Sequence, residues 1–256
     1  MAKLQRLDKV LVHLGVGSRS ELKKLARQGR ITVNGVIVKD SGVQVNPWSD
    51  RLEVNGDLQV YREHVYLMLH KPSGVVSATE DERDRTVLDL LEEQWRVFDL
   101  FPVGRLDKDT EGLLLLTNDG ALAHQLLSPR KHVPKTYFAH VWGEVDEADR
   151  RAFEQGVTLD DGYVTLPAEL GITMVDRSGE IPISSIMLTI HEGKFHQVKR
   201  MFQSVGKRVI YLKRVRMGPL DLDSALPIGQ YRELSETELL QLQSYEGKKK
   251  NDESIS

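Results

Sequence analysis

The sequence predicts an α+β fold in two domains, a small one over residues 1–60 and a larger one over 61–243. Three features carry this prediction. Helical spacing and two Asn-Gly turns crowd the first part of the chain. The strand-like runs beyond it do not alternate regularly with helices, as a doubly wound parallel sheet requires. Between them, the polar stretch Asp57–Glu63 reads as a linker.

Taken in order, Leu7, Val10, Leu11 and Leu14 recur at the spacing that puts one apolar stripe on a helix, and Gly15 can end it. Ser18 and Glu21 form a capping-box pattern ahead of a second helix with Leu22, Leu25 and Ala26 on one face and Gly29 at its exit. Asn34-Gly35 and Asn55-Gly56 sit between β-branched runs as two-residue hairpin turns demand. Next, VYLMLHKP reads as a buried strand stopped by Pro72, and TVLDLLEEQW as a short amphipathic helix from Thr86. A loop centred on Asp107 then leads into the apolar run Leu113–Leu116, an Asn-Asp-Gly turn and a helix ended by Pro129. TYFAHVWG, ISSIMLTIH and KRVIYLKRVRM are strand-like, and FHQVKRMFQSVG places Phe195, Val198, Phe202 and Val205 on one helical face. The tail, residues 244–256, is expected to be disordered.

Composition narrows the chemistry. No run approaches the ~18 apolar residues of a membrane span, and the first residues lack a secretory signal pattern, so a cytoplasmic protein without membrane contact is expected. The chain has 0 cysteines, which excludes disulfides, thiolate metal sites and a cysteine nucleophile. No Gly-rich phosphate loop of either common pattern is present, which argues against a nucleotide cofactor, and the eight histidines lack metal-ligand spacing. GRLDKDTEG lacks the alternating acidic ligands of a calcium loop, and no G-x-S-x-G elbow supports a hydrolase triad. Chemistry without metal or cofactor is expected.

The formal net charge of −3 conceals an uneven distribution. From Lys3 to Arg30 eight cations face only Asp8 and Glu21, and from Lys194 to Leu220 eight more stand with no acid among them. The compensating acid lies in Glu80–Glu93, in Glu144–Asp161 and after Asp221. Two such runs point to a polyanionic partner. Within the first, Arg6, Arg19, Lys23, Lys24 and Arg27 are the candidates for phosphate contacts.

Three motifs occur together: GRLDKDTEGLLLLTNDG, then KTY at Lys135–Tyr137, then EGKFHQVKRMFQSVG. Their order, and the stretch from YLMLHKPSG to QYRELSETEL, resembles the RsuA-like pseudouridine synthases, and the first 60 residues resemble the small α-L RNA-binding domain of S-four type that this family carries. The resemblance implies a mixed, mainly antiparallel sheet in the larger domain. It also implies isomerisation of a uridine in rRNA: the bond from sugar to nitrogen is cleaved and the sugar rejoined to carbon 5 of the same uracil, with no redox change. The partner is then rRNA or a ribosomal subunit assembly intermediate, met by a monomer.

The resemblance places the catalytic carboxylate at Asp107. A carboxylate with a pKa of about 3.9 in water is ionised at neutral pH, but burial opposes the charge unless a cation stands beside it. Lys199 takes that part by resemblance, where relatives often have Arg, with its neighbour Arg200 as the alternative and a further RNA contact. Tyr137 matches the family tyrosine whose ring stacks on the extruded base and whose hydroxyl lies where the carbon 5 proton leaves. Arg105 matches a position expected to fill the gap left by the flipped nucleotide or to contact phosphate. HQVKRMFQSVG resembles the small-subunit branch, implying a 16S target. A 23S target, a noncatalytic RNA-binding assembly factor and an RNA N-glycosidase are the rival readings.

Overall fold

A computed structural model of the chain describes residues 4–245. These residues divide into two units, one reaching to Val65 and taking in Leu91–Leu100, the other made of Tyr66–Leu90 and the residues from Phe101 on.

The first unit begins with β1 (Gln5–Arg6), α1 (Leu7–His13) and α2 (Arg19–Arg27). As the sequence predicts, Ser18 opens α2 with a closed capping box: its hydroxyl accepts from the Glu21 amide, and Glu21 accepts from the Ser18 amide at 2.7 Å. Strands β2 (Ile31–Val33), β3 (Val36–Ile37), β4 (Gln44–Val45), β5 (Leu52–Val54) and β6 (Asp57–Gln59) follow. Four of them form an antiparallel sheet in the order β3-β2-β5-β6, and β4 pairs with β1. Both Asn-Gly turns adopt positive φ at each central residue, 53° and 78° at Asn34-Gly35 and 56° and 91° at Asn55-Gly56, as a turn matched to strand twist requires. The linker expected at Asp57–Glu63 is shortened at its start, because a hairpin turn needs a returning strand and Asp57–Gln59 supplies it; the units divide after Val65. Leu7, Val10, Leu11, Leu22, Ala26, Ile31 and Leu52 bury the apolar faces of helices and sheet together.

In the second unit, β7 (Tyr66–Lys71), β8 (Phe101–Pro102), β9 (Glu111–Thr117) and α3 (Gly120–Leu127) precede β10 (Lys135–Trp142), α4 (Glu147–Gln155), β11 (Glu169–Asp176) and β12 (Ile183–Ile190). Then come α5 (Gln197–Ser204), β13 (Arg208–Met217), β14 (Leu220–Asp221), β15 (Tyr231–Glu233) and α6 (Glu236–Gln243). Seven strands run β11-β12-β10-β13-β9-β7-β15, with β14 beside β13 and β8 beside β9. Every pairing is antiparallel except β13 with β9, so the fold is α+β with a mixed, mainly antiparallel sheet. The interior strand β9 is buried from Gly112 to Thr117, which is why its sequence is a continuous apolar run rather than an alternating one.

Three expectations change. TVLDLLEEQW forms no α-helix: Asp89 caps Thr86 through its amide and hydroxyl, closing one 3₁₀ turn at Leu88–Leu90, and extended Glu92 separates it from a second at Glu93–Phe98. Phe195 lies outside α5, which starts at Gln197 because His196 takes a left-handed φ of 49°. The tail predicted at 244–256 is packed at its start, where Tyr245 joins the core and its carbonyl accepts from Gln125 at 2.8 Å; residues 246–256 lie outside those described. No helix among the described residues is long and apolar enough to cross a membrane.

Candidate active site

Asp107 stands in the loop that joins β8 to β9, and the chain fixes that loop from several sides. Ser77 both donates to the Leu106 carbonyl at 2.9 Å and accepts from the Leu106 amide at 3.1 Å. Thr110 donates its amide to the Asp107 carbonyl at 3.0 Å, and Gly74 donates to the Lys108 carbonyl at 2.7 Å. Beneath the loop lies Lys71, the last residue of β7 and 0% exposed. Its ammonium donates to the carbonyls of Thr110 (2.9 Å), Pro72 (3.0 Å), Asp107 (3.1 Å) and Lys108 (3.3 Å). Burial pushes its pKa down to about 8, against the opposing pull of Asp109, Asp107 and Glu111. Sequence reasoning missed Lys71, although a single cation closing an apolar strand that is buried from Leu67 on is itself a signal.

The Asp107 side chain is 26% exposed, neither loose in solvent nor sealed. Its Oδ2 lies 3.1 Å from Lys199 Nζ, and its Oδ1 lies 3.6 Å from His196 Nε2. Lys199 also donates to Asp109 at 2.6 Å, so one ammonium serves two carboxylates. Burial opposes the charge on Lys199, but the bonds to Asp109 and Asp107 outweigh it and raise its pKa. Asp109, in turn, resists its own desolvation and is held below the usual carboxylate range by Lys199. Because Lys199 sits in the first turn of α5, where the helix dipole disfavours a cation, both carboxylates also complement that helix end.

Tyr137 reaches the same region through strand register. Tyr137 of β10 pairs with Arg214 of β13, Arg214 with Gly112 of β9, and Gly112 with Lys71 of β7. Residues paired in this way share one face of a sheet. Tyr137, Arg214 and Lys71 thus form a row on the face that carries the Asp107 loop. Gly112 has to be glycine, since a Cβ there would stand 2.2 Å from the Arg214 carbonyl oxygen. Tyr137 is 8% exposed, and its hydroxyl has no hydrogen-bond partner among the described residues. Lys135, two residues earlier, donates to the Val133 carbonyl, and burial together with nearby Arg214 pushes its pKa down to about 8.

The remaining predicted residues divide. Arg105 is exposed and makes no ion pair among the described residues, so it does not fold back on Asp107 or Asp109. Arg200 is not beside Asp107: it pairs with Asp160 and with Asp161 at 2.7 Å. Lys207 is compensated in the same manner by Asp149, and Arg216 pairs with Asp221, so acids of Glu144–Asp161 neutralise two cations, Arg200 and Lys207, of what the sequence presents as a free basic face. Arg6 is likewise committed, to the buried Asp8 at 2.6 Å. By contrast Arg19, Lys23, Lys24 and Arg27 project from α2 into solvent with no salt bridge among the described residues.

Residues 65–204 match the family model of RNA pseudouridylate synthase. The chain belongs to this family. Residues 5–47 match the model of the S4 domain, in keeping with the two-helix unit that opens the synthase. Among curated relatives, an uncharacterized RNA pseudouridine synthase of Bacillus subtilis, YtzG, is 50% identical over 91% of this chain and 96% of its own length. The ribosomal large subunit pseudouridine synthase B of Bacillus subtilis is 42% identical over 97% of this chain and 99% of its own. The ribosomal small subunit pseudouridine synthase A of Vibrio cholerae is 39% identical, covering 91% and 97%. A crystal structure of a pseudouridylate synthase superposes with a TM-score of 0.63 at 35% identity, over 93% of this synthase and 99% of that chain.

Proposed function

We propose that this synthase converts a uridine of rRNA to pseudouridine with Asp107 as nucleophile, Lys199 as its counter-charge, and Tyr137 against the base. The observation that carries the reading is the 3.1 Å pair between Lys199 Nζ and a partly exposed Asp107 carboxylate in a loop pinned from below. Paired in this way, the carboxylate attacks either carbon 6 of the uracil or the sugar carbon. In the balance of the reaction the sugar–N1 bond breaks, a sugar–carbon 5 bond forms, the carbon 5 proton leaves and N1 ends protonated. The buried Tyr137 ring offers a face to the flipped base, and its unengaged hydroxyl is available where that proton departs. Arg105, long, cationic and free, suits the space the extruded nucleotide vacates. Arg19, Lys23, Lys24 and Arg27 on α2 suit phosphate, whereas the ion-paired Arg6 and Arg200 are weaker candidates.

The finer reading is a 16S target, carried by HQVKRMFQSVG. A 23S target is the second reading, favoured by the higher identity to the large-subunit relative, 42% against 39%. Tritium release from rRNA labelled at carbon 5 of uridine tests the chemistry: the native protein should release tritium, and Asp107→Asn should release none while still binding RNA. Surviving isomerisation in Asp107→Asn would sink the assignment. Carbodiimide mapping of rRNA with and without the gene then identifies the subunit, and loss of a modified site from 23S rather than 16S overturns the finer reading.

A further inference from the structure

Phe195 is 76% exposed, the most exposed of the large apolar side chains among the described residues. It is nonetheless held firmly. Its ring lies flat on the His196 imidazole, with centroids 3.7 Å apart and planes 20° from parallel, and His196 Nε2 is 3.6 Å from the Asp107 carboxylate. Arg200 donates to the Phe195 carbonyl at 3.3 Å while gripping Asp160 and Asp161. On the other side, the Lys194 amide donates to Gln197 at 2.8 Å, and the Lys194 ammonium sits 4.1 Å from the Tyr163 ring centre. A rigid aromatic ring kept wet, one stacked layer from the nucleophile, gains nothing for the fold. Flipping a nucleotide, however, strips its neighbours of a stacking partner, and an aromatic face can replace it whatever the base.

We infer that Phe195, seated on His196, is a stacking subsite for a nucleobase flanking the uridine presented to Asp107, an inference that rests on the reading of this chain as an enzyme acting on RNA. Arg200 then acts by bracing the platform, which accounts for a largely buried arginine committed to two acids beside the site.

Steady-state tritium release from labelled rRNA transcripts tests it. Phe195→Ala should raise KM about tenfold, the scale of removing one base–aromatic stack, with a smaller change in kcat. Phe195→Trp should restore KM to near the native value, and Phe195→Leu, apolar but not flat, should not. The effect should be nearly independent of salt, unlike that of removing a phosphate-binding cation. A native KM in Phe195→Ala, or full rescue by Leu, overturns the subsite. Filter binding of the same transcripts to Asp107→Asn proteins with Phe, Ala, Leu or Trp at 195 keeps the two readings apart. If the native enzyme isomerises nothing, the functional reading fails, while the order of binding affinities still decides the stacking subsite.

Discussion

Cations are used in opposite ways on α2 of the first unit and around the packed interior of the second. In the second unit Lys71, Lys199, Arg200, Lys207 and Arg232 are each fixed by named acceptors, and Lys71 and Arg214 are buried outright. On α2 of the first unit, Arg19, Lys23, Lys24 and Arg27 point into solvent with no salt bridge among the described residues. A fixed charge defines the position of one atom group at the expense of desolvation; a free charge defines nothing locally but adds to a field that a polyanion feels at long range. On the function proposed above, the contrast separates residues that place a carboxylate from residues that hold RNA, and substitutions can break either half.

The largest expected effect is at Lys71. Lys71→Met leaves four loop carbonyls without their shared donor, and two of them have another backbone donor to fall back on. Orphaned buried acceptors cost about 1–3 kcal/mol each, so a loss of about 3 kcal/mol in denaturant unfolding is expected. Activity per folded molecule should fall about 100-fold, because the Asp107 loop loses its floor. The charge also leaves a mark on pH dependence. With a folded pKa of about 8 against an unfolded value of about 10.4, the native state releases a proton that the unfolded state keeps. Stability should therefore rise from about pH 8 to pH 10 in the native protein relative to Lys71→Met, by no more than about 3 kcal/mol. A flat difference across that window would show that Lys71 is not the buried cation described.

Lys71 also marks where the legibility of the sequence ends. The elements were legible because their signals are local: the Leu7–Leu14 spacing, the Ser18–Glu21 box, the Asn-Gly turns and the unbroken apolar run of β9 each fix their own backbone. The Asp107–Lys199 pair was legible only through resemblance, since the two residues lie far apart in the chain and their 3.1 Å approach is made by folding. What surrounds them was not legible. A lysine at a strand end reads as solvated until the loop carbonyls close over it, and Phe195 reads as one more member of an apolar helix face until His196 turns the backbone left-handed. The pairing of Arg200 and Lys207 in the second basic run was hidden for the same reason: their partners Asp160, Asp161 and Asp149 are distant in sequence.

The other half of the contrast breaks on α2. Replacing Arg19, Lys23, Lys24 and Arg27 together by Gln should weaken rRNA binding and flatten the plot of log affinity against log salt, by about one unit of slope for each phosphate no longer neutralised. Thermal stability should hardly move, because these side chains are exposed and make no salt bridge among the described residues. Filter binding between about 50 and about 200 mM salt measures both affinity and slope. An unchanged slope would mean that α2 does not meet phosphate and that the free cations are only a solvated face.

The smallest effect sharpens the fixed half from within. Lys199 stands 2.6 Å from Asp109 but 3.1 Å from Asp107, so the more exposed carboxylate, 69% against 26%, holds the larger share of the ammonium. Asp109→Asn removes that competitor. Stability should change by less than about 1 kcal/mol, since Asp109 itself is largely in solvent and Lys199 keeps Asp107 as a partner. Lys199 then has Asp107 alone to balance its burial, and its pKa should drop from its raised value as one of the two supporting bonds disappears. Asp107, the proposed nucleophile, would face an undivided positive charge, which lowers its reactivity, so kcat should fall a few-fold with KM nearly constant. A rise in KM with kcat unaltered would instead show that Asp109 orders the substrate and that the division of Lys199 between two carboxylates has no part in the chemistry.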